Sequence, residues 1–246
     1  MKYCITALHC NAPYTKEVSN KMACSFTDNA LRPNLWLYDI SRGHADLPEN
    51  APSMKMREVS ILMRRKILAG LLERTPGTLE FHNNENGKPN LKNNCGLNFS
   101  VSHTGTLWGM AVVLNNVQIG FDVEQARSRK YMDEIMEAYF HHEERHYYSN
   151  LQGEQSRIAY FYKLWTQKEA YAKYLGLGLN YNFACECFNE GYPDDLKIVS
   201  GRVTEHAPRA HDIYLSLVSS LDFKSQDWVL KGDQSLNVNF IAPLEQ

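Results

Sequence analysis

The chain lacks any strong imbalance of charge. Its 26 lysines and arginines stand against 28 aspartates and glutamates, a formal net charge of −2. Without a global basic field there is no general attraction to nucleic acid, so no nucleic-acid partner is expected. Long apolar runs are missing as well. No stretch approaches the roughly 18 apolar residues of a membrane-crossing helix, so no membrane association is expected. The opening segment Met1-Lys-Tyr-Cys-Ile-Thr-Ala-Leu-His9 has only a brief, broken apolar run, not the apolar segment of a secretory signal. Six cysteines are scattered as Cys4, Cys10, Cys24, Cys95, Cys185 and Cys187. The last two stand two apart, but no second close pair completes a zinc cage. Reduced thiols in a cytoplasmic protein are the expectation.

What is present is the composition of an ordinary globular protein, 43% apolar and 22% charged over 246 residues. That length suits one large domain or two small ones and buries a core without staples. Residues 3–8 read as a strand. The segment 11–54, broken by Pro13, Pro33, Pro48 and Pro52, reads as irregular apart from a short strand near Leu35–Ile40. Val59, Leu62, Met63, Ile67 and Leu71 recur at helical spacing between Met56 and Leu72. Thr75-Pro76-Gly77 ends that helix, and Glu85-Asn-Gly-Lys-Pro89 is a loop signal.

Leu97–Val101 reads as a strand running into Ser102-His-Thr-Gly105. Leu107–Leu114 and Val117–Glu124 read as two strands joined in a hairpin by Asn115-Asn116, since Asn tolerates positive φ. Tyr131–Leu151 reads as one or two helices. Ser156–Leu175 reads as a long helix with an apolar stripe of Ile158, Phe161, Leu164/Trp165, Tyr171/Ala172 and Leu175, stopped at Gly176. The remaining strands are expected at 183–188, 196–204, Ile213–Ser219 and Val238–Ile241. This order is α+β, and two halves of about 120 residues, 1–116 and 117–246, fit the length prior.

The chemistry concentrates in three carboxylates. Asp122 and Glu124 lie two apart in the strand-like Ile119-Gly-Phe-Asp-Val-Glu124, so both project to one face while Phe121 and Val123 project to the other. Gly120 lets a ligand or another backbone approach. Glu169 sits in Trp165-Thr-Gln-Lys-Glu-Ala-Tyr-Ala-Lys173, with Lys173 one turn later on the same face. Two such carboxylates and a third from elsewhere suit Mg2+, which completes its shell with water and phosphate oxygens. Lys88, in Gly87-Lys-Pro89, and Ser102, His103 and Thr104 offer a point charge, hydroxyls and an imidazole for phosphate. His103 is poorly placed to activate Ser102, because adjacent strand residues face opposite ways. Arg57, Arg64, Arg65 and Lys66 fall on more than one face of the first helix, where an arginine fork can also grip phosphate.

A competing reading comes from His142-Glu143-Glu144-Arg145-His146, which matches the zinc-peptidase pattern H-E-x-x-H. On a helix the two histidines share a face, Glu143 activates a metal-bound water, and Glu169 serves as a distant third ligand. Against this, the segment reads as an exposed, charged helix followed by Tyr147-Tyr148.

In chain order stand Gly87-Lys-Pro89, Asn98-Phe-Ser-Val-Ser-His-Thr-Gly105, Ile119-Gly-Phe-Asp-Val-Glu124 and Phe161-Tyr-Lys-Leu-Trp-Thr-Gln-Lys-Glu-Ala-Tyr-Ala-Lys-Tyr-Leu-Gly-Leu-Gly-Leu179. Together they resemble a 4′-phosphopantetheinyl transferase of the surfactin-synthetase type. The resemblance implies a pseudo-dimer of two similar α+β halves, with the active site and coenzyme A in the cleft between them. It implies transfer of 4′-phosphopantetheine from coenzyme A to a serine of an apo acyl or peptidyl carrier protein, with release of adenosine 3′,5′-bisphosphate. It implies Mg2+ on Asp122, Glu124 and Glu169, Glu169 as base for the serine, and Lys173 on the phosphate. Lys88, Ser102 and His103 match coenzyme A contacts, and Arg57 or Arg64 is expected on the 3′-phosphate. Phe140 and Glu144 fit a Phe-x-x-x-Glu helix, which makes the H-E-x-x-H match accidental. Phe121 departs from the isoleucine of many members and is expected to face away from the metal. Segment 11–55 matches nothing, so the adenine side is unassigned. A monomer is expected.

Overall fold

The computed structural model describes residues 34–92, 96–114, 116–128, 130–178, 181–189, 196–205, 212–220 and 228–241. The strand expected at 3–8, the segment 11–33, Cys4, Cys10, Cys24, Cys95 and Asn115 lie outside them. Ten strands and four α-helices are described in these residues, a mixed α+β architecture.

A first sheet has the order β4 (Asn98–Thr104), β5 (Leu107–Val113), β1 (Asn34–Asp39) and β9 (Val229–Gly232). Every residue of β5 is buried. Its uninterrupted apolar run Leu-Trp-Gly-Met-Ala-Val-Val suits a central strand covered on both faces. A second sheet has the order β10 (Leu236–Ile241), β7 (Lys197–Glu205), β8 (Ile213–Ser219) and β6 (Ile119–Gln125). β2 (Phe81–Asn83) and β3 (Pro89–Leu91) form a separate ribbon.

The sheets pack face to face through alternate residues. Leu35 and Leu37 of β1 and Ala111 of β5 meet Phe121 and Val123 of β6 and Leu215 and Leu217 of β8. Helix α1 (Met56–Leu71) covers the other face of the first sheet, packing Val59, Met63 and Ile67 against Tyr38, Trp108 and Met110. Helix α4 (Glu154–Leu175) covers the other face of the second, packing Ile158, Phe161 and Leu164 into a cluster with Tyr214, Val218 and Ile198. The layers therefore run helix, sheet, sheet, helix. Between them α2 (Met132–Tyr139) and α3 (His142–Asn150) connect β6 to α4.

Several sequence expectations need correction. The strands 107–114 and 117–124 are not a hairpin: β5 lies between β4 and β1, and β6 pairs with β8 in the other sheet. Both edges of β5 are already hydrogen-bonded, so the chain must cross over after it. Asn116 nonetheless has the positive φ of +59° that its side chain tolerates. Segment 183–188 is not a strand. Phe183–Cys185 is a single 3-10 turn, and residues 186–188 are irregular. Leu175 is exposed rather than part of the buried stripe, because α4 ends there at Gly176 in a left-handed cap with φ +73°. Helix α3 is not wholly exposed: Glu144 is fully buried and paired with Lys168 of α4.

Candidate functional site

The site is built where β6 meets β4 on one side and α4 on the other. As edge strands of their sheets, β4 and β6 face each other without a backbone ladder. Alternate hydroxyls of β4 fill the gap. Ser100 Oγ accepts the Phe121 N–H at 3.0 Å, and Thr104 Oγ1 accepts the Gln125 N–H at 2.9 Å. Between them, Ser102 Oγ donates to Asp122 Oδ1 at 2.7 Å.

Gly120 admits α4 from the other side. A Cβ at Gly120 would lie 1.8 Å from the Ala170 carbonyl oxygen and 2.6 Å from the Tyr174 nitrogen, so only glycine lets the helix backbone settle on the strand. That contact brings Glu169 and Lys173 to Asp122. Lys173 Nζ donates to Asp122 Oδ1 at 2.7 Å and to Ser102 Oγ at 2.8 Å. Asp122 Oδ2 is buried and has no hydrogen-bond partner.

The electrostatics are those of crowded acid. Burial, then the charge of Asp122, pushes the Glu169 carboxyl up to about 7, with Glu124 adding to the rise and Lys173 opposing it. Burial, then the Lys173 charge, lowers His103, against the pull of Asp122. Burial lowers the Lys88 ammonium to about 8 while its Nζ donates to the Ile119 carbonyl at 3.1 Å. Lys88, Phe99, Val101, Glu169, Lys173 and Leu177 line one cleft of about 450 Å³.

An orphaned buried carboxylate oxygen, at a site where the charges of Asp122 and Glu124 act on Glu169, fits a bound cation. Among the described residues, no three His, Cys, Asp or Glu side chains are gathered as a ready ligand set. Mg2+ does not require one, since substrate phosphate and water complete its shell. Zinc catalysis does require three protein ligands. His142 Nε2 instead lies 3.1 Å from Glu143 Oε1, and His146 Nε2 lies 3.3 Å from Asn150 Nδ2. The structure gives the zinc-peptidase alternative no support.

The expected residues are brought together unequally. Asp122, Glu169, Lys173 and Ser102 form one connected group. Glu124 is half-buried on the same strand face, and its charge acts on Glu169. His103 is exposed beside them, on the opposite side of β4 from Ser102. Arg57 is exposed and lines no part of the cleft. Arg64 lies over the Phe81 ring at 4.9 Å, and Phe81 packs edge-on against Phe99 of the cleft wall. The sequence reading missed the bridging roles of Ser100 and Thr104. Their signal was present, as three hydroxyl residues at every second position of one strand.

Residues 118–229 match the sequence model of the 4′-phosphopantetheinyl transferase superfamily. The chain is 34% identical over 118 residues to the 4′-phosphopantetheinyl transferase HetI of a Nostoc species, covering 47% of this chain and 49% of that protein. It is 29% identical over 118 residues to the 4′-phosphopantetheinyl transferase gsp of Aneurinibacillus migulanus, covering 48% and 47%. A 4′-phosphopantetheinyl transferase of Bacillus subtilis is 30% identical over 139 residues, 56% of each chain. The chain thus spans about half the length of the curated relatives it matches, and Asp122, Glu124, Glu169 and Lys173 lie inside the segment matched by the superfamily model.

Proposed function

We propose that this chain, which belongs to the 4′-phosphopantetheinyl transferase superfamily and resembles its surfactin-synthetase type, transfers 4′-phosphopantetheine from coenzyme A to a serine of an apo acyl or peptidyl carrier protein. The observation that carries this reading is the meeting of Glu169 and Lys173 on α4 with Asp122 on β6, beside a cleft that also holds Lys88.

Asp122, Glu124 and Glu169 would hold Mg2+, with the unpartnered Asp122 Oδ2 as one donor free for it. When bound, the cation supplies neutralising charge to the coenzyme A diphosphate. The chain's own residues do the rest. Glu169 lines the cleft as a carboxylate and takes the proton of the carrier serine. The serine oxygen bonds to the phosphorus bearing the pantetheine arm, and the bond from that phosphorus to the bridging oxygen breaks. Lys173 steadies the charge left on the departing adenosine 3′,5′-bisphosphate. Lys88, Ser102 and His103 orient the phosphates. Arg64, one aromatic ring removed from the cleft wall, is better placed than Arg57 for the 3′-phosphate.

Each sheet with its covering helix supports reading the chain as a pseudo-dimer divided at 116/117, with β9 returning to the first sheet and the cleft where β4 and β6 meet.

The test is to mix the purified protein with apo carrier protein, coenzyme A and Mg2+ and weigh the carrier by intact mass spectrometry. A gain of one phosphopantetheine, abolished by EDTA and by Glu169→Gln, is expected. No gain across carriers from fatty-acid, polyketide and peptide synthesis would overturn the reading. Coenzyme A binding retained by Glu169→Gln separates the base from a binding role.

A further inference from the structure

The loop between β2 and β3 carries Lys88 to the cleft, and it is tied to the far end of α4. Within the loop, the Asn84 N–H donates to the Lys88 carbonyl at 2.9 Å and the Gly87 N–H to the Asn84 carbonyl at 3.0 Å. Gly87 takes the left-handed φ of +86° that closes so short a turn. The Asn84 side chain then faces two ways. Its Oδ1 accepts the N–H of Asn86 at 3.0 Å and of Lys88 at 2.8 Å. Its Nδ2 donates to the Gly176 carbonyl at 2.7 Å, and Asn86 Nδ2 donates to the same oxygen at 3.0 Å.

That oxygen belongs to the end of α4, where carbonyls have no partner inside the helix. The site is shaped for the contact. A Cβ at Gly176 would stand 2.8 Å from Asn84 Nδ2, so the glycine that ends the helix also admits the amide. Gly176 follows Lys173 by less than a turn, and Gly176, Lys88, Glu169 and Lys173 line one cleft. Two amides thus fasten the Lys88 loop to the helix that bears Glu169 and Lys173.

We infer that Asn84 and Asn86 are positioning residues, a clasp that holds Lys88 opposite Glu169 and Lys173 and so fixes the width of the coenzyme A side of the cleft. The inference rests on the proposed coenzyme A reading of that cleft. A clasp of this kind acts on coenzyme A alone. The carrier serine approaches Glu169, which stands on α4 and not on the loop.

The test compares wild type with Asn84→Ala, Asn86→Ala and the double variant, measuring kcat, KM for coenzyme A, KM for carrier protein, and coenzyme A binding by calorimetry without carrier. Asn86 is exposed, so Asn86→Ala should fold even where Asn84→Ala disturbs the turn. Each single variant should raise KM for coenzyme A roughly two- to tenfold, the range of one neutral hydrogen bond. The value of kcat at saturation and KM for carrier should stay within about twofold. Asn86→Ser, which restores a donor, should recover part of the loss. Wild-type coenzyme A binding with unchanged affinity in the folded double variant would overturn the clasp alone. A fall in kcat with no change in KM for coenzyme A would also overturn it. A wild type that binds no coenzyme A would overturn the functional reading and the clasp with it.

Discussion

Glu144 and Lys168 meet in the core, Oε2 to Nζ at 2.9 Å, with both side chains wholly out of solvent. All three donors of the Lys168 ammonium and both oxygens of Glu144 are engaged. Lys168 Nζ also donates to the carbonyls of Phe183 at 2.9 Å and Glu186 at 2.7 Å. Glu144 Oε2 accepts the His141 N–H at 2.9 Å, capping α3, and Oε1 accepts the Phe188 N–H at 2.8 Å. Lys168 precedes Glu169 directly, so this pair joins α3, the segment 183–188 and α4 one residue from the cleft.

Removing one partner should cost far more than removing both. Lys168→Met leaves Glu144 buried and uncompensated, and about 3–5 kcal/mol of stability should be lost. Glu144→Gln with Lys168→Met together should recover a large part of it, since a well-packed neutral pair avoids the desolvation cost. Urea unfolding of the three proteins measures this. A double variant no more stable than Lys168→Met would show that the pair acts chiefly through its contacts to the Phe183 and Glu186 carbonyls.

Gly120→Ala should displace α4. The clash at 1.8 Å is with the Ala170 backbone oxygen, which no rotamer change relieves. Overpacking against backbone costs about 3 kcal/mol or more. For a chain of this size that lowers Tm by about 6–12 °C. Turnover at a temperature where the variant is folded should fall as well, because Glu169 and Lys173 ride on the same helix. A Tm within 2 °C of wild type, set against the about 6–12 °C expected, would sink the packing argument.

The parts of this site legible in the sequence were those with local periodicity. Alternation put Asp122 and Glu124 on one face of β6 and Phe121 and Val123 on the other, and the structure shows that this second face packs between the sheets. Helical spacing found α1 and α4 and set Lys173 one turn from Glu169. The loop signal at 85–89 is the turn of the ribbon β2–β3. What failed was long-range. Nothing in Leu107–Leu114 reveals that its two neighbours are β4 and β1, so a local hairpin looked sufficient. β9 was missed because its four half-buried residues pair in parallel with β1, nearly two hundred positions earlier. Glu144 looked solvent-facing because a charged residue between charged residues gives no sign of a buried partner; Lys168 supplies it from another helix.

Asp122→Asn separates metal binding from hydrogen bonding. The amide oxygen still accepts from Ser102 and Lys173, the two contacts now made by Oδ1. What is lost is the negative charge and the buried Oδ2 that has no partner. The fold should hold at a somewhat lower Tm, since the new Nδ2 donor is buried without an acceptor, while turnover at low millimolar Mg2+ falls by about a hundredfold, the scale of losing one catalytic electrostatic group. Raising Mg2+ should restore part of it. Wild-type turnover at every Mg2+ concentration would remove Asp122 from the metal site.

Lys88 should give coenzyme A binding a pH dependence opposite in sign to that of stability. Burial lowers its ammonium from 10.5 to about 8. A phosphate recruits the charged form, so above that pH binding must first take up a proton. Apparent affinity should then fall about tenfold per pH unit. Stability runs the other way. Between about 8 and 10.5 the unfolded chain holds more protons at this lysine than the folded one, so this group's contribution to the unfolding free energy rises with pH. Loss of affinity in that window is therefore not loss of fold. Lys88→Arg keeps its charge far above this range, so its KM for coenzyme A should stay flat where the wild type climbs, with a constant offset for the altered geometry. Parallel pH profiles in the two proteins would assign the titration to another group and take Lys88 off the phosphates.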